Sequence, residues 1–486
     1  MTTTSGGGST PPSNESTHPR TRALIALGCV LLLILAAAIA ARRGATPMRD
    51  LSQSSVGQLY LPAIRTDVTP TPEPTVEATP EPTPEPTPIP EPGRELRAVW
   101  VSRYDWTSYG VAAAPGDIQR VVDQAASAGF NAIIFQVRAA GDAYYTPGLE
   151  PWSPRLTGTL GPTLGVHPGW DPLAEVISRA HAADLQVHAW LNVYPAWQAP
   201  PSESMGSLVP AVDGVWPPQA LNRYTYHNNG GYGLGYTWRV YDEGGHMPIA
   251  WNQYTWASPA CPQVRDHLAA TAADVLTRYP VDGIHLDNVR YPGRQYSLDP
   301  FAQAACDADP ACDALTSDGW RADYQRRQVT ELVARITQQS HAIRPGALVS
   351  AAVWPVYMSR PGWPSTSQGY SDYYQDSQAW VQQGAVDAIA PMIYGSSLFS
   401  DVDTWGLIVA DYLANAGGNW VLPGVGIETN AGACVPFDSI AGQIATARAL
   451  GAPGHAVFSL KGLERCGYLA ALRAGLYADP AIPPPR

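Results

Sequence analysis

The chain has 486 residues, a formal net charge of −12 and only 15% charged residues. It lacks the clustered Lys and Arg that nucleic-acid binding requires, so that class of partner is excluded. Tyr (24) and Trp (16) far outnumber Phe (6). Because Tyr and Trp carry a hydrogen-bonding edge on an apolar ring, this bias is typical of surfaces that bind flat polar molecules such as sugar rings.

The N-terminal region predicts a membrane anchor. Residues 1–22 form a polar tail that we expect to be disordered, and residues 23–41 are an uncharged run long enough to cross a bilayer as a helix. Arg42 and Arg43 follow at once, which favours a retained span over a cleaved signal peptide. Cleavage stays open as an alternative.

A linker separates this anchor from a globular part. Residues 42–93 are rich in Pro, Thr and Glu, and the Pro-dense stretch 69–92 predicts an extended spacer at roughly 3 Å per residue. We therefore expect a single-pass membrane protein whose domain, residues 94–475, lies outside the cytoplasm. Residues 476–486 form a short Pro-rich tail.

Five cysteines lie in the globular part, at positions 261, 306, 312, 434 and 466. They contain no CxxC metal pattern. Cys306 with Cys312 and Cys434 with Cys466 can each form a disulfide, as export permits. The odd number leaves at least one free thiol.

From residue 97 onward, short apolar runs alternate with longer amphipathic ones. The runs predict buried parallel strands at 97–103, 131–138, 186–194, 283–289, 348–353, 387–394, 420–428 and 455–461. Between them, Gly129 ends one predicted helix, and Asp171 caps another that starts at Pro172. Eight alternations predict an α/β protein with a single (β/α)8 TIM barrel. The aromatic-rich segment 195–258 is predicted to be a long loop that forms a substrate wall.

Polar residues at the carboxyl ends of such strands point into the active site of a barrel. On this basis the predicted substrate-binding residues are Arg103, Arg138, Trp190, Asn192, Tyr194, Trp354 and Tyr394. His188 and His285 lie within strands and are interpreted as core residues. No HExxH motif, phosphate loop or GxSxG motif is present, so neither a metal nor a cofactor is expected.

Three carboxylates are the predicted catalytic residues. Asp287 follows an apolar strand, where a carboxylate has little structural purpose, although an ion pair with Arg138 or Arg290 is an alternative. Its partner is either Glu428, at the end of the seventh strand, or Asp142, in a Gly-rich loop that also uses Asp for turns. Two such carboxyl groups supply the acid and the nucleophile or base that glycosidic cleavage needs.

Several long stretches, in order, resemble the bacterial Glycosyl hydrolase-like 10 family. They are ELRAVWVS, GFNAIIFQVRAAGDAYY, EPWSPRLTGTLG, WDPLAEVISRAHAADLQVHAWLNVY, PQVRDHL, VDGIHLDNVRYP, WRADYQRRQV and DAIAPMIY. The resemblance implies a (β/α)8 glycosidase of the bacterial envelope that acts on peptidoglycan glycan strands. It carries over, as implied site residues, Arg138, Gly141, Asp142, Trp190, Asn192, Asp287, Tyr291, Pro292 and Tyr394.

The chain departs from this family at position 288, where Asn288 stands in place of a second acid. Asn288 and Tyr291 complete the predicted substrate-binding set. The function expected is therefore that of a membrane-anchored glycoside hydrolase of a cell-envelope polysaccharide. A non-catalytic glycan-binding protein and a glycosidase for external or storage polysaccharide are the alternatives. The sequence does not indicate an oligomeric state.

Overall fold

The computed structural model describes residues 93–108, 110–146, 148–158, 165–198, 238, 240, 254–296, 299–312 and 318–485. These residues all belong to one compact unit, Glu81–Arg486. The predicted tail, membrane span and nearly all of the linker lie outside them, as does most of the loop predicted at 195–258. No helix within the described ranges combines the length and the apolar composition needed to cross a membrane.

Strands form close to the positions that the apolar runs predict. Their bounds are β1 Leu96–Val101, β2 Ala132–Arg138, β3 Gln186–Asn192, β4 Pro195–Gln198, β5 Tyr254–Trp256, β6 Gly283–Asp287, β7 Leu348–Val353, β8 Ala388–Pro391, β9 Trp420–Val421, β10 Gly424–Gly426 and β11 Gly454–Phe458. Strands β4 and β5 form a separate two-stranded antiparallel sheet. The other strands make one sheet with parallel pairing throughout.

The parallel sheet curls, and its two end strands are consecutive in the chain. Its order is β10-β11-β1-β2-β3-β6-β7-β8-β9, and only Leu422 and Pro423 separate β9 from β10. Leu422 N–H donates to the carbonyl of Ile389 at 2.8 Å, and the Pro423 carbonyl accepts from Ala456 N–H at 3.1 Å. The seventh predicted strand thus exists but is split in two, because proline has no N–H with which to continue the ladder.

Helices follow the parallel strands and cover the outside of the sheet. In the described ranges they are Arg103–Trp106, Pro115–Ala128, Pro172–Ala182, Pro262–Arg278, Pro300–Ala308, Asp318–Ile343, Gly369–Asp372, Ser377–Gln382, Val402–Ala414, Phe437–Ala449, Leu460–Cys466 and Leu469–Ala474. Both predicted helix boundaries are confirmed. Asp171 accepts hydrogen bonds from Leu173 and Ala174 N–H, and Gly129 ends the earlier helix with a φ of 89°.

Side chains that alternate along the strands fill two separate layers. One layer packs between the sheet and the helices. The other fills the inside of the curled sheet and consists of Leu96, Ala98, Trp100, Ala132, Ile134, Trp190, Leu348, Ala388, Ala390, Leu422 and Ala456. His188 and His285 are buried, as predicted for core histidines. The interior is therefore packed with side chains, and any cleft must lie at an end of the sheet.

Two aspartates fix the amino-terminal edge of the sheet in the same way. Asp282 accepts hydrogen bonds from Val187 N–H at 2.8 Å and from the His181 ring at 2.9 Å. Asp387 accepts from Val349 N–H at 2.7 Å, and its partner ring belongs to His341. Each carboxylate accepts from the N–H of the second residue of the neighbouring strand, which is a structural role at the edge opposite to Asp287.

The C-terminal segment packs against this same edge. Tyr477 is fully buried beside Phe130, with ring centroids 5.3 Å apart. Ile482 N–H donates to the Gly93 carbonyl at 3.0 Å, and the Ile482 carbonyl accepts from Glu95 N–H at 2.9 Å. The ordered domain therefore includes residues that composition alone assigns to a tail.

Both disulfides predicted as feasible are formed. Cys306 bonds to Cys312, and Cys434 bonds to Cys466. Cys261 is the free cysteine of the described ranges, and it is buried. Burial raises the pKa of its thiol to about 11, so it is protonated and unreactive at neutral pH.

Two glycines make room for an aromatic ring inside the sheet. A Cβ at Gly424 would lie 2.8 Å from Cε1 of Tyr394, and a Cβ at Gly426 would overlap the Tyr394 Cβ. Just before Tyr394, the chain leaves β8 through two tight turns, in which Ile393 and Tyr394 each donate to the carbonyl two residues earlier. The ring therefore folds back across β10 only because no side chain occupies that space.

We expect Gly426→Ala to displace Tyr394 and to lower the free energy of unfolding by about 1–3 kcal/mol, as overpacked cores do. Urea unfolding monitored by tryptophan fluorescence measures this. Gly346→Ala is the control, because a Cβ there meets no atom within 4 Å. Equal stability of the two variants would contradict the packing assigned to Tyr394.

Candidate active site

Asp287 is the last residue of β6 and lies at the carboxyl-terminal edge of the sheet, opposite Asn192 of β3. The residue is partly exposed, as is Asn288 after it, whereas Leu286 before it is fully buried. Asn288 N–H donates to Asp287 Oδ1 at 2.6 Å. The carboxyl group is therefore fixed in direction and still accessible.

Burial is the largest influence on this carboxyl group, and it raises the pKa of Asp287 above the ordinary value. The charge of Arg290, the hydrogen bonds from Asn288 and Trp190 and the charge of Arg103 act in the opposite direction and do not cancel it. Asp287 thus keeps a proton to higher pH than an ordinary aspartate. A carboxyl group of this kind suits a general acid.

Three aromatic rings form a floor beside Asp287. Tyr394 stacks on Phe458, with centroids 4.9 Å apart and planes 3° from parallel. Trp100 packs edge-on against both, at 5.9 and 6.0 Å, and its other neighbour is His285, at 5.6 Å. We call Asp287, Arg290 and the rings of Trp100, Tyr394 and Phe458 the Asp287 site. Trp100 is buried and supports the other two rings, whereas Tyr394 and Phe458 are partly exposed. Exposed ring faces of this kind bind the apolar faces of sugars.

Hydrogen bonds hold the floor from below. The Trp100 indole N–H donates to His285 Nε2 at 3.0 Å, and His285 Nδ1 lies 2.9 Å from Ser350 Oγ. Since Nε2 accepts, the ring proton is on Nδ1 and is donated to Ser350. Burial lowers the pKa of His285 to about 3, with help from His188. The imidazole is therefore neutral and supports the floor.

Polar side chains connect β2, β3 and the short helix that follows β1 along the same edge. Gln136 Oε1 accepts from the backbone N–H and the Nη1 of Arg103, both at 3.0 Å. Asn192 Oδ1 accepts from Gln136 Nε2 at 3.2 Å and from Trp190 Nε1 at 3.0 Å. Arg103 also donates from Nη2 to Tyr254 in β5 at 2.6 Å. The structure thus brings together three predicted residues, Arg103, Trp190 and Asn192, through Gln136, which was not predicted.

Arg138 lies in a different environment from the one predicted. It has no exposed surface, and it donates from Nε and Nη2 to the two oxygens of Glu150 at 2.8 Å. Its Nη1 donates to backbone carbonyls of Asn192, Val193 and Pro195. Glu150, which was also not predicted, accepts a further bond from His267 at 2.9 Å. Arg138 therefore joins the loop that contains Glu150 to the segment that follows β3.

The two predicted partners of Asp287 are both partly exposed. Asp142 Oδ1 accepts from Ala140 N–H at 2.8 Å, so the side chain stabilises its own loop. Glu428 forms an ion pair with Arg465 on the helix Leu460–Cys466. Neither has a hydrogen bond to Asp287, and the choice between them stays a prediction.

The other predicted residues lie in three places. Tyr194 and Tyr291 are fully buried below the edge, away from solvent. Trp354 and Asn288 are partly exposed and lie next to Arg290, whose guanidinium carbon is 5.3 Å from the Trp354 ring. Tyr394 belongs to the floor. Trp100 and Phe458 were missed, although both occupy inward positions of predicted strands.

No group of three His, Cys, Asp or Glu in the described part of the chain is arranged to hold a metal ion. The arrangement is therefore that of an α/β protein with an accessible carboxyl group above aromatic rings, at the carboxyl ends of curled parallel strands. This description fits the class of proteins that bind and cleave glycans.

The chain belongs to the Glycosyl hydrolase-like 10 family, whose model matches residues 95–212 and 239–405. It is 29% identical over 322 residues to glycosyl hydrolase YngK of Bacillus subtilis, covering 63% of this chain and 55% of that protein. It is 27% identical over 321 residues to glycosyl hydrolase DigH of Escherichia coli, covering 62% and 65%. The chain thus spans less than two thirds of either relative.

Solved structures show the same fold. The glycoside hydrolase domain of PgaB from Bordetella bronchiseptica has a TM-score of 0.52 at 15% identity, covering 78% of this chain and 98% of that one. Alpha-L-fucosidase isoenzyme 2 from Paenibacillus thiaminolyticus has a TM-score of 0.53 at 17% identity, covering 79% and 49%. At these identities the likeness concerns the fold alone.

We expect Glu150→Gln to destabilise the protein by about 3–5 kcal/mol at pH 7, because it leaves Arg138 buried without its counter-charge. Urea unfolding measures the difference. Glu175→Gln is the control, since its partner Arg179 is on the surface, and such pairs contribute less than about 1 kcal/mol.

The same pair predicts a pH dependence. Burial raises the pKa of Glu150, but Arg138 and His267 outweigh it and lower the pKa to about 2, from an ordinary 4.5. The folded state then keeps the carboxylate charged where the unfolded chain protonates it. The stabilisation is complete above pH 4.5 and is lost as the pH falls towards 2. The gap between wild type and Glu150→Gln should narrow over that interval, and a constant gap would contradict the assignment.

Proposed function

We propose that this protein is a glycoside hydrolase of the cell envelope, that its substrate is the glycan strand of peptidoglycan, and that Asp287 is its general acid. The observation that carries the proposal is the accessible Asp287 carboxyl group, which has a raised pKa and lies beside the floor of Trp100, Tyr394 and Phe458. Family membership supports the reaction class. The resemblance of the sequence to envelope glycosidases supports peptidoglycan strands as the substrate.

We also infer that the curled sheet is a complete (β/α)8 barrel. In support, β1 pairs with both β2 and β11, and β9 and β10 act as two halves of one strand. Counted in this way, eight parallel strand positions are each followed by a helix. In such a barrel the Asp287 site lies at the mouth, where loops can complete it.

In the proposed reaction, a sugar ring stacks on the floor, and the protonated Asp287 gives its proton to the leaving glycosidic oxygen. A second carboxylate then activates water or attacks the sugar. We propose Asp142 for this role. In support of this choice, the charges of Asp142 and Arg103 both influence the pKa of Tyr144, and the charge of Arg103 also influences the pKa of Asp287. Glu428, by contrast, is paired with Arg465.

We expect Asp287→Asn to abolish hydrolysis of peptide-free peptidoglycan strands, by a factor of about 10³ or more, while strand binding is kept. Hydrolysis is measured as the release of reducing ends by the full-length protein in detergent. Strand binding is measured by co-sedimentation with insoluble strands. Asp266→Asn is the control, because Asp266 is in an exposed pair with Arg335. Unchanged turnover in Asp287→Asn would refute the mechanism. Binding without hydrolysis in the wild type would favour a non-catalytic glycan-binding protein.

We further propose that residues 23–41 anchor the protein in the cell membrane, with the domain outside the cytoplasm. Protease added to intact cells should then cut within the Pro-rich stretch 69–92, where the chain has few apolar residues to bury, and release the domain. Immunoblotting of cells and medium checks this, with a cytoplasmic protein as the integrity control. Full protection of the domain in intact cells would refute the external location.

A further inference from the structure

Arg290 is buried beside Asp287 and is only 8% exposed. After burial itself, the charge of Arg290 has the largest influence on the pKa of Asp287. No ion pair within 4.0 Å joins Arg290 to a carboxylate of the described residues. The guanidinium therefore acts on Asp287 at a distance and is not neutralised by direct contact.

Few protein atoms accept hydrogen bonds from this guanidinium group. Nη1 donates to Asn288 Oδ1 at 3.0 Å, and Nε is buried without a partner. The rings of Trp354, Trp256 and Tyr373 surround the cation, with centroids 5.3, 5.6 and 5.7 Å from the guanidinium carbon. Such rings stabilise a cation but accept no conventional hydrogen bond.

Two other buried arginines of this edge, Arg138 and Arg103, have more hydrogen-bond acceptors. Arg138 has a bidentate carboxylate and three carbonyls. Arg103 has Gln136 and two phenols. A buried cation without such partners is costly, so the incomplete set around Arg290 indicates that an external group completes it.

Asn288, which accepts the hydrogen bond from Arg290, carries no charge. It adopts a φ of 52°, a left-handed conformation that Asn and Asp tolerate better than other side chains, and it directs its amide oxygen at Arg290. An aspartate in the same place would neutralise the guanidinium. With Asn288, the positive charge stays available to an incoming anion.

We propose that Arg290 is a specificity-determining residue that binds a carboxylate substituent on the sugar beside the scissile bond. This inference rests on the proposed function and deepens it. A guanidinium offers parallel N–H donors that match the two oxygens of a carboxylate. Peptide-free peptidoglycan strands carry such a carboxylate on the lactyl ether of every second sugar, whereas chitin strands carry none.

The test compares peptide-free strands with the same strands after their carboxylates are converted to amides. Full-length wild type should show a kcat/KM about tenfold to a hundredfold higher on the carboxylate form, the range expected for one charge-assisted contact. Arg290→Gln should reduce this ratio to about one. Arg294→Gln is the control, because Arg294 is on the surface and pairs with Asp372. A ratio that Arg290→Gln leaves at the wild-type value would overturn the proposal and assign Arg290 only to the charge state of Asp287.

Asn288→Asp provides a second variant that differs by one atom and does not depend on the folding of Arg290→Gln. It places a carboxylate against Arg290, so we expect it to lower the kcat/KM ratio as well. An unchanged ratio in Asn288→Asp would count against the proposal.

Binding measurements distinguish a failure of this inference from a failure of the proposed function. If wild type cleaves neither form, the hydrolase proposal fails, and the affinities of Asp287→Asn for the two forms are measured by calorimetry. Tighter binding of the carboxylate form, lost in Asp287→Asn/Arg290→Gln, would still support the role of Arg290. Equal affinities, or no binding of either form, would overturn it.

Discussion

The buried ion pair between Arg138 and Glu150 holds together the edge of the sheet on which the site is built. Arg138 belongs to β2, its carbonyl partners directly follow or end β3, and Glu150 also binds His267 on the next helix. Because neither charge has access to water, each depends on the other and on every hydrogen bond around them. This arrangement keeps Asn192 in register with Asp287, and through Asn192 it keeps Trp190 and Gln136 in place.

The site itself combines two opposing effects on one carboxyl group. Arg290 and Arg103 favour the charged form of Asp287, whereas its enclosure by protein favours the neutral form and is the stronger effect. The aromatic floor contributes to that enclosure, and its own position depends on the absence of side chains at Gly424 and Gly426. The packing of Tyr394 against Gly424 and Gly426 therefore contributes to the raised pKa of Asp287. The same geometry leaves Arg290 near Asp287 with its charge only partly neutralised.

Much of the fold could be predicted from local patterns. Apolar runs located the parallel strands, Asp171 and Gly129 marked helix boundaries, and cysteine spacing allowed both disulfides that formed. The split of the seventh strand at Pro423 and the burial of Tyr477 were not predicted. The first depends on which neighbour each residue bonds to, and the second depends on a surface formed by distant segments such as Phe130.

The sequence by itself determined the class of fold, the family and the position of Asp287, because strand ends, motifs and a carboxylate after an apolar strand are all local features. Only the tertiary structure decided what each polar residue faces. Arg138 and Tyr291 lie in the interior, whereas Arg290 influences the pKa of Asp287 and Trp100 and Phe458 pack against Tyr394. The physical reason is that burial and charge depend on distances between segments far apart in the chain. A list of strand-end residues does not contain those distances.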